Sequence, residues 1–517
     1  MADRSDTRLS RRRFLTASGG LGATLLSFGR GTGAAQPHQH TAAPAPAASS
    51  TTPAPADGAG PLVEPEVRRA VDGGLRTTLR ARYAYKEIGG HKLYVRTYEG
   101  TVPGPTLRCR PGDVLAIRLI NDLPPNRDVN PLNISRPHHF NTTNFHFHGS
   151  HVSPGGIADN VMRSMEPGQS YDVEIAIPAD HTRGTYWYHP HHHGGADIQM
   201  ASGMVGALIV EGDFDGVPEI ARARERMLVL SQVVFDHLGT VEDFGTLFPE
   251  TATRFFSING QRMPTIEMRP GEVQRWRLLH AGYQDTLSVA LEHHALHAIA
   301  HDGISLPGVE RQETMVLAPG QRADVLVQAG APGTYVLAGL PHDSGYPSPT
   351  GPIARIVVAG APQPMSLPTT LPPAPLPSIR DAELTGTRSL TFSGLAPEIE
   401  AAGHWQEFSF MVDGRQFDHR RIDQRVRLGA VEEWTVTNLH VHDHVFHIHT
   451  NPFQVTKING RPAPSPVWRD TAIVPRLGSL TFRSRFLDYT GTFMLHCHMM
   501  NHEELGMMQT VEVYKDV

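Results

Sequence analysis

The sequence predicts an all-β protein built from three related sandwich or barrel domains. Glycine (49) and proline (42) are frequent, and alternating apolar patterns run between the turns they mark. A chain of 517 residues also exceeds what one hydrophobic core serves, so several domains are expected. The decisive observation is an internal repeat. PGPTLRCRPGDVLAIRLIN (Pro103–Asn121) aligns without gaps with RMPTIEMRPGEVQRWRLLH (Arg262–His280), and a weaker third copy is FDHRRIDQRVRLGAVEEWTVTN (Phe417–Asn438). Each copy reads as strand, glycine turn, strand with period-two alternation. The domain ends repeat as well: GTYWYHPHHH from Gly184, GTYVLAGLPHD from Gly333 and GTFMLHCHMM from Gly491.

In chain order, residues 1–35 read as a targeting segment. Ser10-Arg11-Arg12-Arg13-Phe14-Leu15 resembles the twin-arginine export signal, followed by a mild apolar run from Leu21 to Phe28 and small residues near Ala34-Ala35. That run is far short of the roughly 20 apolar residues a membrane helix needs, so no membrane anchor is expected after processing. The protein is then periplasmic or secreted. Residues 36–75 begin as an Ala-, Pro-, Ser- and Thr-rich stretch and are expected to be a disordered linker. Domains follow over 76–216, 217–362 and 386–517, with a Pro-rich linker over 363–385. The formal net charge of −6 points to neither nucleic acid nor an acidic membrane as partner. The two cysteines, Cys109 and Cys497, exclude a disulfide framework. Cys109 aligns with Met268 of the second copy, a position for a medium apolar side chain, so it reads as a buried structural thiol.

The 30 histidines are an excess that needs a use. They gather in four clusters: His146-Phe147-His148, His189-Pro190-His191, His444-x-x-His447-x-His449, and His496-Cys497-His498 with His502 and Met507. A cysteine, a histidine and a methionine at the offsets of the last cluster, completed by a histidine from elsewhere, form the ligand set of a blue copper centre. Pairs two apart on a strand share a face, so 146/148, 189/191 and 447/449 each make half of a metal site. On a strand Cys497 faces one way while His496 and His498 face the other. One strand then carries a copper on its front and ligands for further metals on its back.

With these clusters the sequence resembles the three-domain multicopper oxidases, the laccase family, over roughly residues 80–517. The matching motifs are HFHG at His146, WYHPH at Trp187, HVFHIH at His444 and HCHMMNHEELGM at His496. The resemblance implies three cupredoxin-like Greek-key domains and four copper ions. It implies a type 1 copper on His444, Cys497 and His502 with Met507 axial, and a type 2 copper on His146 and His447. It implies a type 3 pair on His148, His189, His191, His449, His496 and His498. The run from His189 to His193 also allows 191/193 as the ligand pair, and the WYHPH match favours 189/191. The family often has proline after the type 1 histidine where this chain has Val445, which is not a ligand. Glu503 and Asp159 are the carboxylates that the family pattern implies as proton donors. Asp443, beside His444, is either its hydrogen-bond partner or a solvated turn residue. The remaining histidines, among them His193, His301, His440 and His442, lack a complete partner set and are expected to be exposed or to support the ligands. The middle domain ends in GLPHD (Gly339–Asp343) without paired histidines and reads as a spacer.

The implied activity is one-electron oxidation of phenols or aromatic amines, coupled to four-electron reduction of dioxygen to water. An axial methionine implies a low or medium potential and hence easily oxidised substrates. The partners are a small-molecule reductant and dioxygen, and the chain is expected to be a monomer. A cuprous-ion oxidase is the alternative, but the methionine-rich segment such enzymes often carry is absent. A non-enzymatic exported relative is more remote, because the ten histidines and one cysteine are complete.

Overall fold

A computed structural model describes residues 60–516, apart from 129–130, 249–251 and 396–401. The expected twin-arginine segment and the first part of the expected linker lie outside the described residues. Six sheets fall into three pairs, built from strands within 67–210, 224–358 and 386–514. This is the all-β architecture of three related domains that the repeat predicts, with the cupredoxin-like fold that the resemblance implies.

Each repeat has one structural meaning. Its first strand (Thr106–Cys109, Thr265–Met268, Gln424–Arg427) lies in one sheet of the pair and its second (Val114–Asn121, Val273–His280, Ala430–Asn438) in the other. Between them Gly112, Gly271 and Gly429 take φ of +92°, +79° and +93°, a conformation open to glycine at little cost. The first strand pairs in parallel with the closing strand of its domain (Gly206–Val210, Gly351–Val358, Met508–Tyr514). Parallel neighbours need a crossover rather than a hairpin, which ties the start of each domain to its end.

The likeness extends to single hydrogen bonds. Asn121, His280 and Asn438 end the second strands at aligned positions. Each accepts a hydrogen bond from the backbone N–H two residues on, at 3.1, 3.0 and 2.8 Å. Each also donates from its side chain to a backbone carbonyl: Asn121 to Asn141 and Met165, His280 to Asp285, Asn438 to His442 and Val474. The imidazole of His280 thus does with two ring nitrogens what the other domains do with a carboxamide.

Alternation accounts for the core. In Val114–Asn121 the residues Leu115, Ile117, Leu119 and Asn121 are buried and their neighbours are not. In Val273–His280 every residue is buried, because the second face of that strand meets the first domain. There Arg275 pairs with Asp213 and Asp324, while Arg277 reaches Glu225 at 2.7 Å, Asp324 at 2.8 Å and the Thr185 hydroxyl at 2.9 Å. Cys109 is a free buried thiol, pushed up to about 12 by burial, in keeping with a packing role.

The expected linker over 36–75 is corrected at its end. Val67–Arg69 is a strand in parallel register with Thr106–Arg108, and the Leu62 N–H donates to the Thr265 carbonyl at 2.8 Å. Glu64 accepts from Arg226 at 2.9 Å. The apolar and charged residues after Gly60 have partners on two domains.

Candidate metal centres

Strand register sorts the ligands. Gly491–Cys497 pairs antiparallel with His444–Ile448, placing His447 opposite His496 and Phe446 opposite Cys497. Alternation then puts His444 and Cys497 on one face, and His447 with His496 on the other. In the first domain His146 pairs with His189 and His148 with Trp187, so these side chains share a face too. The two faces meet with imidazoles stacked in pairs: His148 on His447 and His146 on His449, each with ring centroids 3.8 Å apart.

Three triads result, each with ring nitrogens within 4.8 Å of one another: His146/His148/His447, His148/His189/His498 and His191/His449/His496. All eight histidines are 3 % exposed or less. At the end of the first domain His189 and His191 each join one of these triads, while His193 faces Glu503 and Glu504. Most of these rings are anchored by one nitrogen. His146 Nδ1 faces Asp159 at 3.1 Å, His447 Nδ1 the Asp470 carbonyl at 2.7 Å, and His189 Nδ1 the Pro190 carbonyl at 2.9 Å. His148 Nε2 faces the Asp470 carboxylate at 3.1 Å, and His496 Nδ1 the Glu503 carboxylate at 2.8 Å. The opposite nitrogens of His146, His447, His189 and His148 are buried and have no hydrogen-bond partner. An unsatisfied buried polar atom costs about 1–3 kcal/mol. Several of them converging, each with its other nitrogen fixed, is the donor set of a metal centre with its outer anchors in place.

On the other face of the strand, His444 Nδ1 and His502 Nδ1 lie 3.0 Å apart and 3.6 and 3.7 Å from Cys497 Sγ. The Val445 N–H points at that sulfur from 3.4 Å, and burial pushes the thiol up to about 12. A thiolate there needs a cation beside it, and two imidazoles with one thiolate select copper. Met507 is fully buried and accepts from the Cys497 N–H at 3.0 Å through its carbonyl. The residues present therefore fit copper at both faces.

Both sequence-identified carboxylates sit at the histidines. Asp159 accepts from the Phe147 N–H at 2.9 Å, and burial raises its carboxyl to about 7. Burial opposes charge on Glu503 too, but the imidazoles of His191 and His496 outweigh it and hold the carboxyl at about 2. Asp443 is not a partner of His444: it accepts from the Arg476 N–H at 2.8 Å. Of the histidines without a partner set, His440 stacks along His444, His301 is buried and His193 joins the acid cluster, because the third domain and the acid pair close over them.

Other residues at the centres were not legible in the sequence. Asp470 touches His148 and is gripped by Arg322 of the middle domain through two bonds of 2.7 Å. Gly320 lies so close that a Cβ there would fall 3.1 Å from atoms of both His148 and His498. Burial pushes the carboxyls of Asp197 and Glu504, behind Glu503, well above the carboxylate range. The expected spacer role of the middle domain is thus corrected: among the described residues it contributes to none of the triads, but it braces those of its neighbours. No offset rule flags these positions, since each comes from a different strand or loop.

The middle domain also faces the Cys497 site. The Tyr346 hydroxyl lies 3.1 Å from His502 Nε2, and Phe410 stacks on the His502 ring at 4.0 Å. Tyr346, with His442 stacked on it at 4.1 Å, forms part of the wall of a cavity of about 670 Å³.

Comparison with known proteins agrees with this geometry. Sequence models of the multicopper oxidase family match residues 81–214, 235–357 and 395–517. The chain belongs to the multicopper oxidases, in their three-domain bacterial form, and the histidine clusters fit the copper sites of that family. It is 24% identical over 474 residues to a multicopper oxidase of Staphylococcus haemolyticus, spanning 88% of this chain and 93% of that one. It is 24% identical over 497 residues to a laccase of Bacillus stratosphericus, spanning 84% and 95%. It resembles the solved multicopper oxidase of Campylobacter jejuni, described as a metallo-oxidase, at 25% identity and a TM-score of 0.74, over 89% of this chain and 96% of that one.

Proposed function

We propose that this multicopper oxidase is a laccase-type enzyme that oxidises phenols or aromatic amines. The observation that carries the reading is the split at one strand end, Cys497 on the His444/His502 side and His496 and His498 on the other. His444, Cys497, His502 and Met507 would hold a type 1 copper, and His146 and His447 would hold a type 2 copper. His148, His189, His191, His449, His496 and His498 are assigned to a type 3 pair. Bound there, copper supplies one-electron oxidation of the reductant and the four-electron, four-proton reduction of dioxygen to two waters. The chain supplies the rest. Cys497 is bonded through its own backbone to both His496 and His498, so the path between the two faces is covalent. Asp159, raised to about 7, holds and releases a proton near neutral pH. Glu503 contacts His191 and His496 and stands ready to accept one.

An organic reductant is favoured over cuprous ion by what stands at His502. Tyr346 and Phe410 cover it, and the only sulfur among the described cavity-lining residues is that of Met263. The likeness to the Campylobacter metallo-oxidase keeps cuprous-ion oxidation as the second reading. The test is to load the chain with copper and measure metal content, visible absorption and oxygen uptake. We expect the intense blue band of a copper thiolate, about four copper ions per chain, and uptake with a phenol exceeding that with cuprous ion. A colourless protein sinks the oxidase reading. Uptake with cuprous ion alone replaces phenol oxidase by metallo-oxidase.

A further inference from the structure

Resting on the phenol-oxidase reading, we infer that the cavity beside the Cys497 site selects aromatic reductants that carry a carboxylate, and that Arg262 is the residue that reads the charge. The cavity is the space behind Tyr346, whose hydroxyl touches His502, so a ring held there stands one residue away from the ligand set. Its described walls carry three charged side chains that matter, Arg254, Asp285 and Arg262. Asp285 is already engaged, by Arg254 as an ion pair and by the Gln232 amide at 2.9 Å. That pair cancels. Arg262 forms no ion pair among the described residues, so it is the wall's described guanidinium left to meet an incoming anion.

The guanidinium is also held in place. It lies over the Phe255 ring at 4.7 Å, and its stem fills the space above Gly89, where a Cβ would fall 2.7 Å from Arg262 Cδ. A fixed guanidinium presents parallel N–H donors whose spacing matches a planar carboxylate, and its ordering cost is met before a ligand arrives. Aromatic surface from Tyr346, His442 and Phe256 lines the same cavity and suits the ring of the reductant. The preferred substrate is then a phenol with a carboxylate on a short side chain.

The test uses the copper-loaded full chain, oxygen uptake, and two phenols with the same ring, one bearing a free carboxylate and the other its methyl ester. Arg262→Gln and Arg262→Lys are compared with the parent, with copper content and the blue band as checks that the sites are intact. For Arg262→Gln, kcat/KM on the acid should fall about tenfold, mostly through KM, because one charge-assisted contact is lost. The ester should change by less than about twofold, and Arg262→Lys should restore part of the preference. If the acid and the ester fall together, or neither falls, the inference is overturned while the phenol-oxidase reading stands. If the parent oxidises neither phenol but consumes cuprous ion, that reading fails and the inference with it.

Discussion

Burial holds His280 neutral, and its two hydrogen bonds fit the neutral ring. Its Nε2–H donates to the Asp285 carbonyl, and its Nδ1 must stay bare to accept the Gly282 N–H. Burial lowers its pKa from 6.5 to about 4. A folded pKa below the unfolded one means that the full stability is present above pH 6.5. It is lost as pH falls from there towards 4, because only the unfolded chain takes the proton. The loss amounts to about 3 kcal/mol. Asn121 and Asn438 do the same work at the same corner without titrating. His280→Asn should therefore leave stability at pH 7 within about 1 kcal/mol of the parent and remove part of the acid loss. Urea unfolding of variant and parent at pH 7 and pH 4.5 checks this, and an unchanged difference between the two pH values refutes it. The repeat aligns His280 with Asn121, so the position was legible in the sequence. Its hydrogen bonds were not, since they close on residues two and five further on whose path the alignment leaves open.

At the scale of elements, the loop between the strands Met315–Leu317 and Arg322–Gln328 does unexpected work. Its Gly320 N–H donates to the His280 carbonyl at 2.9 Å, which fixes the loop to the corner just described. From there it presses Gly320 against His148 and His498. Gly320 has φ of +87°, so alanine there costs about 1 kcal/mol in backbone strain before its methyl group meets the imidazoles. Gly320→Ala should reduce copper at the histidine cluster and lower oxygen uptake by about tenfold or more, while the blue band of the Cys497 site persists. Copper analysis with visible and electron paramagnetic resonance spectra separates the two sites. Equal loss at both would show general unfolding instead. The strand Gly491–Cys497 behaves differently: its role follows from alternation alone, because opposite faces are forced on neighbours.

Over the whole molecule, the middle domain is a brace between its neighbours. Arg322 grips Asp470 of the third domain and the Thr185 carbonyl of the first, while Arg275 and Arg277 bind Asp213 of the first. These pairs are buried, so removing one partner leaves charge without compensation. Arg277→Ala should cost about 3–5 kcal/mol. Chemical denaturation checks the magnitude, and a change under 1 kcal/mol would mean that water or Arg275 replaces it. The same brace brings the Tyr346 cavity to His502, so the wall beside His502 comes from the domain that, among the described residues, contributes to none of the histidine triads.

The sequence by itself determined the family, the β class, the threefold repeat and the histidines and cysteine gathered in the candidate metal sites. These follow from short-range patterns: alternation, glycine turns and donors one or two residues apart. Tertiary structure alone decided which histidines converge in each triad, because a triad draws on strands some 300 residues apart in the chain, as His146 and His447 are. It alone decided that Asp470, Arg322, Gly320 and Tyr346 stand at those centres. Each acts through contacts across a domain boundary, and such contacts leave no period in the sequence, since only the packing of finished sheets brings them together.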